Sequence, residues 1–526
     1  MSKPDTLIVV HYHLLAGGVC SAIKNSLAAL AESGWLSQRS LRILTGRKKG
    51  VREFLASMAQ WGIEAAYELD PRLDYSDRIW PDRDAFWGEA SALSDWFLGQ
   101  ARGASLFWVH NPTLGKNPLV TAALMIAGRE NSAGDSEHRF LYHIHDFAEC
   151  GRLWNLQNLR RCWRNGGMDD FYPVANNFGY GVLNKADLKR LARAGIPDKR
   201  IFLLPNAVAA VKREREKTRE AILPELQRYA GENGYRFDPE RAWWTLPIRL
   251  IRRKNVVEAL LLAAIAAEPP QLLVTLDANS EQERPYAEAV KELFRKQRHA
   301  AIVGFGHELV GRLFSFHDLL LASDAVVTTS LMEGFGFAFL EGAYRGRPLL
   351  GRNLGEVTVD FVEAGFPATS LYDHFLVPVS KKARDTMTDR GCKFAQNQGR
   401  LLGLNNSIVE RFCEEVETIF SDGIVDFGYL DLEQQVDLTR LLQGDQLVCD
   451  LRTLNREAAR PVHFPADFTE RVEEAFGLEP HASRLAAAFE SLFSENYNGN
   501  TTDNVSNRLL DLFFRPIYHR PLIGEW

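Results

Sequence analysis

Short apolar runs alternate with segments whose apolar residues recur at helical spacing through most of the first 390 residues. Leu7–Val10, Leu41–Leu44, Ser105–Val109 and Phe140–Ile144 are short and rich in branched or aromatic side chains, which predicts buried strands. Between the first two, Val19 to Ser33 carries an apolar helical stripe and closes at Gly34. The alternation resumes with Ala242–Ile248, Gln271–Leu276, Ala300–Val303 and Ala325–Thr328. Strands that are apolar on both faces and separated by helices predict parallel sheets covered on both sides. The pattern occurs twice, with a break near Ile201-Phe202-Leu203-Leu204-Pro205-Asn206 and a charged helical stretch from Lys212 to Glu220 after it. From about Gly391 the pattern becomes mainly helical, and no role emerges for Asn507 to Trp526.

A chain of 526 residues is too long for one hydrophobic core. The expected organisation is a Rossmann-like domain over 1–205, a second Rossmann-like domain over 206–390, and a mainly helical extension over 391–526 that includes a return helix. Two doubly wound domains facing each other place a ligand cleft at the carboxyl ends of their strands. Lys and Arg total 62 against 68 Asp and Glu, a net charge of −6, which argues against a nucleic-acid partner. The start of the chain lacks a secretory pattern, and the longest apolar stretch, Val256 to Ala267, is interrupted by Glu258 and too short for a bilayer span. Six scattered cysteines without metal-ligand spacing read as reduced thiols, so a cytoplasmic location is expected.

Two segments carry candidate chemistry. Ser330-Leu331-Met332-Glu333-Gly334-Phe335-Gly336-Phe337-Ala338-Phe339-Leu340-Glu341 runs from a predicted strand through a glycine turn into a helix. Glycines at such a turn let backbone approach a ligand, and first-turn N–H groups attract phosphate. The second segment, Arg249-Leu250-Ile251-Arg252-Arg253-Lys254, places four cations at the end of an apolar strand, where an anion suits them better than a solvated face.

On these residues the chain resembles a known family. Glu333 to Glu341 is similar to the E-x7-E motif of retaining glycosyltransferases of the GT-B fold, particularly the family 4 group. Arg249 and Lys254 match the spacing of that family's diphosphate-binding pair, and Leu204-Pro205-Asn206-Ala207-Val208 resembles its interdomain junction, with alanine in place of the usual glycine. Tyr180 to Asn184 with Leu191 to Pro197, and Gly17-Gly18-Val19, complete five stretches in consistent order between Leu7 and Asp360. The resemblance implies an α/β, GT-B fold of two facing doubly wound domains. It implies that Arg249 and Lys254 bind the donor diphosphate and that Glu333 bonds the donor sugar. Glu341 would hold the ribose, and backbone at Gly336 and Phe337 would contact phosphate or sugar. Gly17 and Gly18 would approach acceptor or donor phosphates, and His145, in His143-Ile144-His145-Asp146, would be the catalytic-loop histidine.

Other polar groups are candidates for the same cleft: His11, His13, His110 and Asn111 at predicted strand exits. Gly151 to Asn165, with Arg152, Arg160, Arg161, Arg164 and two tryptophans, reads as an amphipathic helix with solvated arginines, a lid over an anionic acceptor, or a membrane-surface contact.

The expected activity is metal-independent, retaining transfer of a hexose from a nucleotide-diphosphate donor to a soluble acceptor by front-face attack. No Asp-x-Asp metal motif accompanies the site, and no cofactor is expected beyond the donor substrate. UDP-, GDP- and ADP-sugars all stay open because Asp277-Ala278-Asn279 departs from the family's glycine-rich turn. An anionic acceptor, a peripheral membrane contact and a homo-oligomer also stay open. A GT-B disaccharide phosphorylase and a non-catalytic nucleotide-sugar-binding subunit are the alternatives, with a sugar-nucleotide epimerase third.

Overall fold

The apolar runs become the strands of two parallel sheets. The computed structural model describes residues 4–80, 82–131, 137–163, 171–208, 217–278, 281–296, 300–494 and 504–520. They divide into two compact units, one from Met1–Ala210 with Val472–Phe514, the other from Val211–Arg471 with Arg515–Trp526. The segment beyond residue 390 is therefore shared between the units. Of the charged stretch Lys212 to Glu220, residues 212–216 lie outside the described residues, and a helix begins at Arg219.

The first unit holds β1 (Thr6–His11), β2 (Ser40–Thr45), β3 (Ala66–Leu69), β4 (Ser105–His110), β5 (His138–Ile144), β6 (Phe178–Val182) and β7 (Ile201–Leu203). Their spatial order is β3-β2-β1-β4-β5-β6-β7, all parallel. The chain winds outward from β1 and then crosses to its other side, so the switch point lies between β1 and β4. Helix Gly18–Glu32 buries Ile23, Leu27 and Leu30 against Leu7, Val9 and Ile43. Helix Leu478–Ser494 joins the same core through Leu485, Phe489 and Leu492, with the Phe489 ring 5.2 Å from Trp35 and 5.7 Å from Trp108. Each such side chain removed from water contributes roughly 1.5–3 kcal/mol, which binds this late segment to the first unit.

The second unit is built on β8 (Trp243–Arg249), β9 (Gln271–Leu276), β10 (Ala301–Val303), β11 (Ala325–Thr328) and β12 (Leu349–Gly351), in the order β10-β9-β8-β11-β12. Its switch point lies between β8 and β11. These strands pair only at Ala325↔Trp244 and Val326↔Thr245, so beyond Thr245 they separate. Pro247 has no N–H for the ladder, and the β8–β9 register shifts between Leu246 and Arg249. Thr275 Oγ1 donates 3.3 Å hydrogen bonds to the carbonyls of Leu246 and Ile248 across this bulge.

Each unit is thus a Rossmann-like, doubly wound α/β structure, and beyond Gly391 the described chain is mainly helical, with a three-residue strand at Ile424–Asp426. All six cysteines are free thiols. Among the described residues no helix is long and apolar enough to cross a membrane.

Candidate active site

In the second unit both candidate segments follow neighbouring strands, β8 and β11, at the carboxyl ends on either side of the switch point, where doubly wound sheets hold their ligands. Arg252–Lys254 form a single tight turn after β8, and Thr329 to Gly336 form the loop after β11. The two are stitched together by backbone: Leu331 N donates to Arg253 O at 2.8 Å and Thr329 Oγ1 to Lys254 O at 3.0 Å. Lys254 Nζ and Ser330 Oγ both donate to Glu333 Oε1, the latter at 2.7 Å, while Arg253 lies 3.6 Å from Glu333 Oε2. Burial by itself would raise the Glu333 pKa; the charges of Lys254 and Arg253 and the two hydrogen bonds outweigh it and hold the carboxylate below its ordinary range. The result is an ionised carboxylate beside two cations at the strand ends.

The remaining basic residues have separate anchors. Arg252 pairs with Glu283 at 3.0 Å. Arg249 closes β8, half-buried, with its pKa lowered by burial.

The glycine turn leads into the five-residue helix Phe337–Glu341, then a 3-10 turn, Ala343–Arg345, that closes at Gly346. Gly336 has φ +87°, and a Cβ there would lie 2.8 Å from the side chains of Phe339 and Val357, so this position requires glycine. Phe337 stacks edge-on against Phe335. Glu341 is paired with Arg345, one helical turn on; burial raises its pKa and Arg345 offsets this only in part. The two motif carboxylates therefore sit in opposite electrostatic settings.

In the first unit the histidines gather at the carboxyl ends of β1, β4 and β5. Trp108 Nε1 donates to His143 Nδ1 at 3.2 Å, so the His143 proton is on Nε2, which donates to Leu204 O at 3.3 Å. Both nitrogens of His143 are used inside the fold, and burial pushes its pKa down to about 4. His145 stacks on His143 and hydrogen-bonds His110 Nδ1 through Nε2 at 2.9 Å. Burial, followed by His143 and His11, holds His145 well below the ordinary histidine range, so it is neutral. The ligand nitrogens of His110, His143 and His145 lie within 4.8 Å of one another, a spacing a metal ion could use. For His143 to join such a set it would have to give up one of its two hydrogen bonds.

Asn111, expected at the cleft, has a structural position that the sequence did not reveal. Its φ is +56°, and its Oδ1 accepts from the backbone amides of His145 at 2.7 Å and Asp146 at 3.2 Å. It shapes the turn that carries His145. Gly17 and Gly18 open the helix after β1; a Cβ on Gly18 would meet no protein atom within 4 Å, so packing does not account for glycine there. His11 and His13 lie together, ring centroids 5.6 Å apart. Helix Leu153–Cys162 carries Arg160 on Asn507 and Arg161 beside Trp154, and Arg152, which precedes it, pairs with Asp146 at 2.9 Å. Arg164 and Asn165 lie outside the described residues.

A buried network supports the second unit's loops and has no short-range sequence signal. Arg352 reaches Glu258 at 2.6 Å and Asp426 at 2.7 Å, with all three side chains at least nine-tenths buried. Arg520 Nη2 donates to Leu331 O at 3.2 Å, two residues from Glu333.

Comparison with known proteins extends the resemblance along the chain. No protein-family model matches the chain. It is 28% identical over 480 residues, 90% of its length and 88% of the other's, to the mannosylglucosyl-3-phosphoglycerate synthase of Petrotoga mobilis. Among solved structures it is similar to the HepE protein of Anabaena in complex with UDP and glucose, with TM-score 0.49, 12% identity, and 92% and 99% coverage of the two chains. It is likewise similar to a glycosyltransferase from Rickettsia africae, with TM-score 0.46, 10% identity, and 94% and 100% coverage. The chain thus has two doubly wound, Rossmann-like units of the kind that its resemblance to GT-B glycosyltransferases implies.

Proposed function

We propose that this chain is a family 4-like GT-B hexosyltransferase that moves a sugar from a nucleotide-diphosphate donor, with retention at the anomeric carbon and without a metal ion, to a phosphoglycerate-type acceptor. The observation that carries the reading is the joining of Lys254 and Glu333 at the strand ends of the second unit. An anionic donor phosphate would take over Lys254, with Arg249 as second cation, and Glu333 would turn to the sugar hydroxyls. As the anomeric C–O bond to the diphosphate breaks, the acceptor oxygen bonds the same face of that carbon, and its proton passes to the departing phosphate oxygen. Neutral His145 suits a hydrogen bond to an uncharged hydroxyl. The open space at Gly18 suits close approach of a ligand's oxygens. The acceptor class is supported by the Petrotoga relative, whose name states a 3-phosphoglycerate product.

The test incubates the protein with UDP-, GDP- and ADP-hexoses and either 3-phosphoglycerate or its glucoside, with and without chelator, and follows products by NMR. Nucleoside diphosphate and an α-linked product from an α-linked donor, undiminished by chelator, are expected. A β-linked product would end the retaining reading, and chelator-sensitive activity restored by a divalent ion would end the metal-independent one. Disaccharide breakdown that needs inorganic phosphate and no nucleotide would make the protein a phosphorylase. Nucleotide binding without product from any pair would make it a binding subunit.

A further inference from the structure

Tyr75, in the first unit, stands where four loops meet. Its ring is 4.9 Å from His13 and 5.2 Å from Tyr12, and Lys116 Nζ lies 5.7 Å from its centroid, yet the residue is 43% exposed. The surrounding loops are fixed. Asn117 Nδ2 donates to Arg72 O at 2.7 Å and Asp74 O at 2.6 Å, Ser76 N donates to Lys116 O at 3.0 Å, and Asn117 Oδ1 caps the next helix through Leu119 N. A Cβ on Gly46 would fall 2.0 Å from Asp74 N, one on Gly50 2.6 Å from Leu14 O, and one on Gly115 2.4 Å from Asn155 O. The loops following β1, β2, β3 and β4 therefore interlock around this tyrosine.

The cations around it outnumber the carboxylates. Arg47 grips Asp74 with two bonds, at 2.8 and 3.1 Å, and Arg152 holds Asp146 at 2.9 Å. These four groups are also the charges that act on the Tyr75 hydroxyl. Each arginine keeps further N–H groups beyond those its carboxylate takes. Lys48 and Lys49 are exposed on the same loop as Arg47. Five cations thus accompany two carboxylates whose observed role is to orient arginines. A ring of pre-oriented donors with an aromatic hydroxyl is suited to a phosphate dianion, which takes several charge-assisted hydrogen bonds at once.

We infer that the loops around Tyr75 form the subsite for the phosphate group of a small soluble acceptor, with Lys116, Arg152 and Tyr75 as its principal contacts. The inference rests on the transferase reading and specifies its acceptor. A soluble source is favoured over a lipid headgroup because Arg160, on the neighbouring amphipathic helix, is engaged with Asn507. That leaves the helix with a weak basic face for a membrane.

Isothermal titration of the full chain tests it, using 3-phosphoglycerate, glycerate, inorganic phosphate, and vesicles of phosphatidylglycerol in phosphatidylcholine. UDP and GDP serve as separate probes of the donor site. Lys116→Met, Arg152→Met and Tyr75→Phe are compared with the natural chain; Lys48→Ala with Lys49→Ala adds an exposed pair that leaves the fold intact. The phosphorylated probes should bind and glycerate should bind more weakly. Loss of one charged contact should raise Kd about tenfold, and the exposed pair should raise it about threefold, with nucleotide affinity unchanged. Equal Kd values in the natural chain and all variants, absence of binding by every soluble phosphate, or binding confined to vesicles would each overturn the subsite. Absence of all nucleotide binding in the natural chain would instead sink the transferase reading, while the phosphate arm decides the subsite by itself.

Discussion

Lys254 Nζ donates to Glu333 Oε1 across 79 residues of sequence, and their side chains are only 12% and 10% exposed. The contact forms because β8 and β11 are neighbours that part at their carboxyl ends, so that the turn after one meets the loop after the other. Removing one partner leaves a largely enclosed charge, and in the proposed reaction each partner meets the donor.

The pair gives a pH prediction. Burial opposes ionisation of Glu333, but Lys254 and Arg253 prevail and its folded pKa is depressed. Its stabilisation is therefore complete above the unfolded carboxylate value, about 4.3, and is lost as pH falls through the folded value. Urea unfolding of the natural chain and Glu333→Gln should show a gap at about pH 7 that narrows markedly by about pH 3.5. A gap that is constant with pH would mean that the charge of Glu333 does not support the fold. In parallel, Lys254→Ala should reduce kcat/KM by about two to three orders of magnitude.

Asn111 should separate strain from capping. Its φ of +56° is tolerable for asparagine and glycine and costly for alanine, while its Oδ1 holds the amides of His145 and Asp146. Asn111→Gly removes only the acceptor and Asn111→Ala adds backbone strain. Chemical denaturation should show a loss of about 1–3 kcal/mol for glycine and about 1–2 kcal/mol more for alanine. Equal losses would show that the turn relaxes without its left-handed residue.

Much of this fold is readable from one sequence because parallel strands covered on both faces are continuous apolar runs. Gln271–Leu276 and Ala325–Thr328 stand at the residues their pattern predicts. The strand Ala66–Leu69 is not marked by the pattern, because it is four residues long at the sheet edge, every residue is exposed and Glu68 interrupts its apolar run. Leu349–Gly351 is too short to stand out. At the site, the basic run and glycine turn were each visible, whereas their mutual contact depends on strand order. The Arg352 network was invisible for the same reason: its partners lie 94 and 74 residues away. Asn111 was visible as a polar residue at a strand exit, but its capping role depends on a positive φ that composition does not encode.

Arg520 should act on donor binding through Leu331. It is 7% exposed, donates to the Leu331 carbonyl at 3.2 Å, and lies 3.5 Å from Asp426, which keeps Arg352 as its closer partner. Arg520→Met keeps most of the bulk and leaves Asp426 paired, so the fold should persist with a loss of about 1–3 kcal/mol. Loosening the loop that carries Glu333 should raise the donor KM about tenfold with kcat within about twofold. A lowered Tm with unchanged donor KM would confine Arg520 to a structural role.

Acid should weaken this protein well before its carboxylates are neutralised. Burial lowers the pKa of His11 and His481 to about 3 and that of His143 to about 4, and it holds His110 and His145 well below the ordinary range. In the unfolded chain each would titrate near 6.5. The unfolded state therefore gains protons that the folded state refuses as pH falls below about 6.5, and stability declines until the folded values are reached. Each histidine contributes a slope of about 1.4 kcal/mol per pH unit in that window, so several together should make the decline between about pH 6.5 and pH 4.5 steep. His143→Gln keeps an acceptor for Trp108 and a donor for Leu204 while removing one titrating group. Urea unfolding at half-unit pH intervals should show a slope for the variant shallower by about one histidine's share. An unchanged slope would mean that His143 takes up a proton in the folded state despite its buried hydrogen bonds.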